Sequence, residues 1–231
     1  MTRKVALLAA VSVVGLLGVP LGAQADQIGL QASSTGGITL MGVSATNSVA
    51  VTIAANTGCP VGGLSTCATF QKTGQATENG FYNLGALPTT TAGPGVNGLF
   101  SFPAGTTESF SYTGVDNDML SGTLTLMSIA DGSATPRFNA VLNNITSSGD
   151  SNFTGTFPTG TSGYRVDFTT TSINAGNTTL GQLVMQNGTA AVGVSSGEVV
   201  PGPIVGAGLP GLVAACGGLL ALARRRRKQI A

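Results

Sequence analysis

Histidine and tryptophan are absent from the sequence, and only 8% of its 231 residues are charged. Without histidine, Ser-His-Asp and Cys-His catalysis and every metal site that needs an imidazole are excluded. Bases are also scarce between residues 26 and 203, where Lys72, Arg137 and Arg165 stand against nine acids. Nucleic-acid binding needs clustered positive charge, so the sequence predicts no nucleic-acid partner.

The first 25 residues have the three-part organisation of a secretory signal peptide. Arg3 and Lys4 form the positive n-region, residues 5–17 are mostly apolar, and Ala23 and Ala25 form the small-x-small cleavage pattern. The apolar stretch is short for a bilayer, which needs roughly 20 apolar residues. We expect signal peptidase to cut after Ala25, so that the mature chain is exported.

Three cysteines occur in the chain, and two of them are close in sequence. Cys59 and Cys67 lie eight positions apart, around a Pro-Val-Gly-Gly segment. In an oxidising compartment this spacing predicts a local disulfide, which would stabilise the fold by about 2–3 kcal/mol. Two free thiols are the alternative. Cys216 lies in the apolar tail without a predicted partner.

The composition changes sharply over residues 199–231. Residues 204–223 carry no charge, and five consecutive bases follow at residues 224–228. Twenty uncharged residues are enough to span a bilayer, and the basic cluster would stay in the cytoplasm with the preceding domain outside. We therefore expect a transmembrane helix at 204–223. Its glycine and proline content suits a span that is processed after export, and a permanent single-pass anchor is the alternative.

This end of the chain resembles the sorting signal of PEP-CTERM proteins, which combines a Pro-x-Pro motif, a hydrophobic span and an arginine-rich terminus. The motif here reads Pro201, Gly202, Pro203, with glycine where the family has glutamate, and the basic end is Arg224, Arg225, Arg226 and Arg227. The resemblance covers about the last 30 residues. It implies a bacterial surface or biofilm exopolysaccharide-matrix protein, held briefly in the inner membrane and cut by the membrane protease exosortase. It implies nothing about the preceding domain.

Residues 26–198 show period-two alternation and no helical period. Tyr164, Val166 and Phe168 alternate with Arg165 and Asp167, which predicts that the first three face the core and the last two face water. Short, evenly spaced strands separated by turns predict a single all-β domain, an antiparallel β-sandwich of the jelly-roll type. Residues 88–98 are predicted to be a loop. The predicted strands lie near residues 38–46, 49–55, 67–72, 80–87, 97–102, 108–113, 120–129, 137–145, 152–157, 164–171, 180–186 and 189–195.

The densest acidic stretch of this domain contains Asp116 and Asp118, separated by Asn117. Such oxygen ligands occur at this spacing in calcium loops, and Asp131 and Asp150 lie in turn-like segments that could converge. However, the D-x-D-x-D-G pattern and its twelfth-position glutamate are missing. Aspartate and asparagine also favour turns for their own hydrogen bonds. Asp116 and Asp118 are therefore weak calcium candidates against ordinary turns, and no other cofactor is predicted.

Two classes of function remain open. One is a non-catalytic surface or matrix protein whose hydroxyl-rich sheets bind extracellular polysaccharide or further copies of the chain. The other is an extracellular glycan hydrolase, which needs two carboxylates placed across a cleft. The first is favoured because histidine is absent and no pair of acids stands out by its spacing.

Overall fold

The computed structural model describes residues 26–31, 36–59, 66–72, 75–131, 135–173 and 178–201. Antiparallel strands dominate these ranges, so the predicted all-β class is confirmed. The elements are β1 (Gln27–Gln31), β2 (Ile38–Val43), a 3₁₀ turn (Ser44–Thr46), β3 (Ser48–Ile53), β4 (Thr57–Cys59), β5 (Ala68–Gln71), β6 (Glu78–Leu84), β7 (Leu87–Ala92), β8 (Leu99–Ser101), β9 (Thr107–Gly114), β10 (Met119–Ala130), β11 (Arg137–Ser148), α1 (Ser151–Thr156), β12 (Tyr164–Thr170), α2 (Leu180–Met185), β13 (Thr189–Val192) and β14 (Val194–Val200).

The larger sheet closes into a barrel of eight antiparallel strands. Its order is β10-β11-β12-β14-β1-β5-β6-β9, and β9 returns to β10, while β4 and β8 add short pairings to β6 and β10. The first and last strands of the described chain, β1 and β14, are neighbours in this ring. Closure gives every one of the eight strands two partners and removes the open edges of a sheet. The larger sheet is therefore not one layer of a sandwich, which corrects that part of the prediction.

A second sheet of four strands has the order β13-β2-β3-β7. Its buried residues, among them Leu40 and Val51, belong to the same hydrophobic cluster as the interior of the barrel. Helix α2 lies against β2, where Gly42 has no side chain to keep the helix backbone away. Both sheets therefore share one continuous core.

Two segments predicted as strands, 152–157 and 180–186, are helices instead. Asp150 caps α1 by accepting hydrogen bonds from the backbone N–H groups of Asn152 and Phe153. Thr179 caps α2 in a capping box with Gln182, a Thr-x-x-Gln signature that is visible in the sequence. The alternation at 153–157 is misleading, because residues four apart lie on one face of a strand and also on one face of a helix.

The remaining differences concern strand positions and one side chain. β7 occupies part of the predicted loop 88–98, and β1 and β4 lie where no strand was predicted. Tyr164, Val166 and Phe168 are buried as predicted, but so is Asp167, of which only 2% is exposed. The Asp167 carboxylate forms an ion pair with the largely exposed guanidinium of Arg165. A long neighbouring side chain therefore covers this carboxylate on the outer surface of the sheet.

The two ends of the chain hold several of the predicted features. Residues 1–25, with Ala23 and Ala25, lie outside the described residues, and so does the predicted span 204–223. Within the part of the chain that the structure describes, no helix combines the length and apolar character needed to cross a membrane.

Candidate functional site

Five charged side chains converge at one end of the barrel. Lys72 follows the end of β5, Glu78 begins β6, Asp116 and Asp118 lie in the turn from β9 to β10, and Asp150 follows β11. These strands are consecutive around the barrel. Neighbours in an antiparallel sheet run in opposite directions, so the ends of β5, β9 and β11 meet the beginnings of β6 and β10. The strand order alone therefore brings the five side chains together.

Lys72 bridges two of the acids in this cluster, Glu78 and Asp150. Its side chain is almost fully buried, and its ammonium nitrogen lies 2.5 Å from Glu78 Oε1 and 2.7 Å from Asp150 Oδ2. The same nitrogen lies 5.4 Å from the centre of the Phe70 ring. Burial acts to lower the pKa of Lys72, but the hydrogen bonds to Asp150 and Glu78 outweigh it and raise the pKa. Lys72 is therefore a permanent buried cation.

Asp118 and Asp150 join the β9–β10 turn to helix α1. Asp118 is 1% exposed, and its Oδ1 accepts a hydrogen bond of 2.8 Å from the backbone N–H of Asp150. The hydrogen bonds from Lys72 and from the backbone amides of α1 lower the pKa of Asp150. Gly149 has a φ of +133°, and a Cβ there would overlap the Asp118 carboxylate. Only glycine fits this approach of the two segments.

Glu78, Asp116 and Asp118 form the densest part of the cluster. Each offers a carboxylate oxygen, and these three oxygens lie within 4.8 Å of one another. Burial raises the pKa of Glu78, and the nearby Asp116 carboxyl raises it further against the opposing effect of Lys72. The carboxyl groups of Glu78 and Asp116 can form a hydrogen bond with each other only when one of them carries a proton. In the ionised state, Glu78 Oε2 and Asp118 Oδ2 have no donor among the described atoms.

The hydroxyl group of Tyr112 lies beside these carboxylates. Tyr112 is 1% exposed, and its hydroxyl has no hydrogen-bond partner in the described chain. Burial raises the pKa of Tyr112, and the negative charges of Glu78, Asp116 and Asp118 raise it further. The hydroxyl therefore stays protonated and is a donor whose position beside the carboxylates is fixed by β9.

A small polar pocket of about 250 Å³ adjoins the cluster. Asp26, Gln75, Asn152 and Thr156 contribute to its lining, and Lys72 forms part of its wall. The hydroxyl group of Thr156 donates a hydrogen bond of 3.0 Å to Asp26 Oδ2, which ties the start of the described chain to α1. The pocket is lined by groups that form hydrogen bonds rather than by apolar surface.

The sequence prediction covered only part of this site. Asp116 and Asp118 do lie together, and Asp150 joins them, but Asp131 lies beyond the other end of β10. Its carboxylate accepts hydrogen bonds from the backbone N–H groups of Leu180 and Gly181 in α2. Glu78, Lys72 and Tyr112 were missed. The scarcity of bases could have singled out Lys72, but its contact with Asp150 spans 78 residues and depends on the strand order.

Cys59 and Cys67 lie at disulfide-bonding distance, with their Cα atoms 6.2 Å apart, and this geometry fits the predicted pair. Pro201 directly follows β14, whereas Gly202, Pro203, Cys216 and the arginines from Arg224 to Arg227 lie outside the described residues. Comparison with protein-family models, with curated proteins and with solved structures finds no match for this chain.

Proposed function

We propose that the protein is a non-catalytic component of a bacterial cell surface or exopolysaccharide matrix, exported by its signal peptide and sorted through its PEP-CTERM-like end. The observation that carries this proposal is the order of three features after residue 200: the Pro-Gly-Pro motif, the uncharged span and the arginine cluster. The end of the barrel supports it, because β14 ends at Val200 and Pro201 follows at once. The motif therefore begins where the paired backbone ends.

In this proposal, signal peptidase cuts after Ala25 and residues 204–223 hold the chain in the inner membrane. The basic cluster stays in the cytoplasm because it is costly to translocate. An exosortase-like protease then cuts close to the motif, where the prolines keep the backbone extended. The sheet pairing narrows the position of the cut. Val199 is fully buried and pairs with Ile28 and Val166, so we expect cleavage on the C-terminal side of Val200.

The outer face of the four-stranded sheet is the surface that we propose for binding polysaccharide or another copy of the chain. Two rows of uncharged side chains cross this face, and all of them are short except one methionine. The strand register places Thr189, Met41 and Thr91 in one row, with the buried Ala50 between the last two, and Ala191, Thr39, Thr52 and Thr89 in the other. Hydroxyl groups in such rows can donate to and accept from the hydroxyl groups of a glycan.

Binding without hydrolysis is favoured by the geometry of the acidic cluster. Glycoside hydrolases hold their two carboxyl groups about 5–10 Å apart across a cleft. The oxygens contributed by Glu78, Asp116 and Asp118 lie within 4.8 Å of one another, and Asp118 is almost fully buried. These oxygens therefore lie closer together than the carboxyl groups of either class of glycoside hydrolase.

The proposal is tested by expressing the full chain in a bacterium that has an exosortase and determining both ends of the surface-exposed protein by mass spectrometry. We expect the mature chain to begin at Asp26 and to end within a few residues of Pro201. The variant Pro201→Ala/Pro203→Ala should keep residues 204–231 and remain in the membrane. Pro88→Ala, which changes an exposed proline in β7, should be processed normally.

The same released protein should co-sediment with the exopolysaccharide of the host and release no reducing sugar from it. Peptides from residues 204–223 in the surface-exposed form would instead identify a permanent anchor. Release of sugar that is abolished by a single Asp→Asn substitution would identify the hydrolase.

A further inference from the structure

We propose that Glu78, Asp116 and Asp118 bind one Ca²⁺ ion at the end of the barrel where the β9–β10 turn meets the start of β6. This inference is independent of the proposed export and sorting. Each of the three residues contributes an oxygen to a group that spans no more than 4.8 Å. Ca²⁺ takes 6–8 oxygen ligands at about 2.3–2.6 Å, so one ion can contact all three carboxylates, and water can complete its shell.

The first support is a pair of buried carboxylate oxygens that have no partner in the described chain. Asp118 is 1% exposed, and only one of its oxygens, Oδ1, accepts a hydrogen bond, from Asp150. The other oxygen, Oδ2, is buried without a partner in the described chain, as is Glu78 Oε2. A buried carboxylate oxygen without a donor or a cation is strongly unfavourable. A bound cation removes this cost at both oxygens.

Tyr112 provides a second observation that does not depend on the acids themselves. Its buried hydroxyl has no partner among the described residues and lies next to the β9–β10 turn. A Cβ placed on Gly114 would lie 3.3 Å from this hydroxyl, 2.8 Å from Asp116 Oδ1 and 3.3 Å from Asp118 Cβ. The hydroxyl is therefore placed to donate to a carboxylate or to a water molecule in the shell of the ion.

The net charge of the cluster also favours a divalent cation. Four carboxylates, those of Glu78, Asp116, Asp118 and Asp150, surround a single ammonium group, that of Lys72, which leaves a net charge of −3 when all are ionised. Lys72 binds one oxygen of Glu78 and one of Asp150, and among the described residues it forms no ion pair with Asp116 or Asp118. One divalent ion would reduce the charge to −1.

The types of ligand identify the metal. The chain has no histidine, and the two cysteines in the described domain are paired with each other, so soft and borderline metals have no suitable ligands here. Carboxylate and hydroxyl oxygens select hard cations. Two of the acids lie in a turn and the third begins a strand, which does not impose octahedral geometry on their oxygens. Mg²⁺ demands octahedral coordination, whereas Ca²⁺ tolerates irregular geometry.

The experiment uses the purified full chain after treatment with EDTA and removal of the chelator. Calorimetric titration with CaCl₂ should show one ion bound per chain. At 100-fold excess over the dissociation constant, the melting temperature should rise by about 5–10 °C. Terbium, which occupies calcium sites, should luminesce when tyrosine is excited because Tyr112 lies at the site. Tyr112→Phe should reduce this emission, whereas Tyr164→Phe should not.

Asp116→Asn is the main variant, because Asp116 is exposed in a turn and its substitution leaves the core unchanged. We expect it to weaken calcium binding at least tenfold, and Asp118→Asn to do the same. Glu198→Gln is the matched control, since Glu198 lies on β14, three strands away from β10, and it should bind as the unchanged protein does. The proposal is overturned if the unchanged protein shows neither heat nor a melting shift up to 10 mM calcium, or if Asp116→Asn binds as tightly.

Discussion

At the scale of single residues, Glu108 is the least expected side chain of the barrel. It lies on β9, on the same buried face as Phe110 and Tyr112, and it is 5% exposed. Neither of its carboxylate oxygens has a hydrogen-bond partner in the described chain. Burial raises the pKa of Glu108 to about 8. The folded protein therefore holds this group as a neutral acid at pH 7, and the unfolded chain ionises it.

This difference predicts a loss of stability as the pH rises. Between the ordinary pKa of 4.5 and the folded pKa of about 8, the folded state binds one proton more than the unfolded state. The free energy of unfolding should therefore fall across that window by at most about 5 kcal/mol. Above that pH window, Glu108 should cause no further change in stability. Urea unfolding at pH 5, 6, 7 and 8 measures this change.

Glu108→Gln isolates the contribution of this residue, because glutamine does not titrate and has nearly the same shape. We expect the free energy of unfolding of the variant to increase relative to that of the unchanged protein as the pH rises from 5 to 8. Glu198→Gln, on the outside of the barrel, should leave the profile unchanged. Parallel stability profiles for Glu108→Gln and the unchanged protein would contradict the prediction.

At the scale of elements, the docking of α2 depends on the absence of a side chain at Gly42. A Cβ at this position would overlap the backbone carbonyl group of Leu183 and approach the Cα of Val184. Leu180, Leu183 and Val184 are the buried residues of α2, so a shift of the helix would also disturb the core. A backbone neighbour cannot rotate away as the end of a side chain can.

We therefore expect Gly42→Ala to lower the free energy of unfolding by about 1–3 kcal/mol, the usual cost of overpacking. Gly155 in α1 is the matched control, because a Cβ there would meet no atom within 4 Å. Gly155→Ala should raise stability by about 0.5–1 kcal/mol, since alanine is a better helix former than glycine. Urea unfolding of both variants checks the pair, and equal stabilities would show that Gly42 is not required for docking.

At the scale of the whole molecule, the barrel is closed by its first and last strands. β14 pairs with β1 on one side and with β12 on the other. Removing β14 would expose both neighbours as open edges, and open edges promote association. The residues beyond Pro201 contribute none of the described strands.

Two truncations separate these contributions. A chain that ends at Pro201 should unfold cooperatively with an unchanged midpoint. A chain that ends at Gly193 should lose cooperative unfolding and associate during size-exclusion chromatography. A monomeric, cooperatively unfolding chain without β14 would mean that closure is not needed for the fold.

The sequence by itself determined the all-β class, because alternation such as that of Tyr164, Val166 and Phe168 depends only on neighbours along the chain. The capping signal of α2 at Thr179 and Gln182 is also present in the sequence. The closeness of Asp116 and Asp118 is likewise local. Each of these features is set by hydrogen bonds or side-chain directions within a few residues.

Only the tertiary structure decided the rest. Phe153 and Phe157 satisfy the patterns of a strand and of a helix alike. Long-range contacts such as the 5.0 Å approach of Phe153 to Phe70 favour the helix that the local Asp150 cap begins. The addition of Glu78, Lys72 and Asp150 to the acidic turn depends on which strands are neighbours. That order includes pairings between strands far apart in sequence, such as β1 with β14 and β6 with β9. No local spacing encodes these pairings.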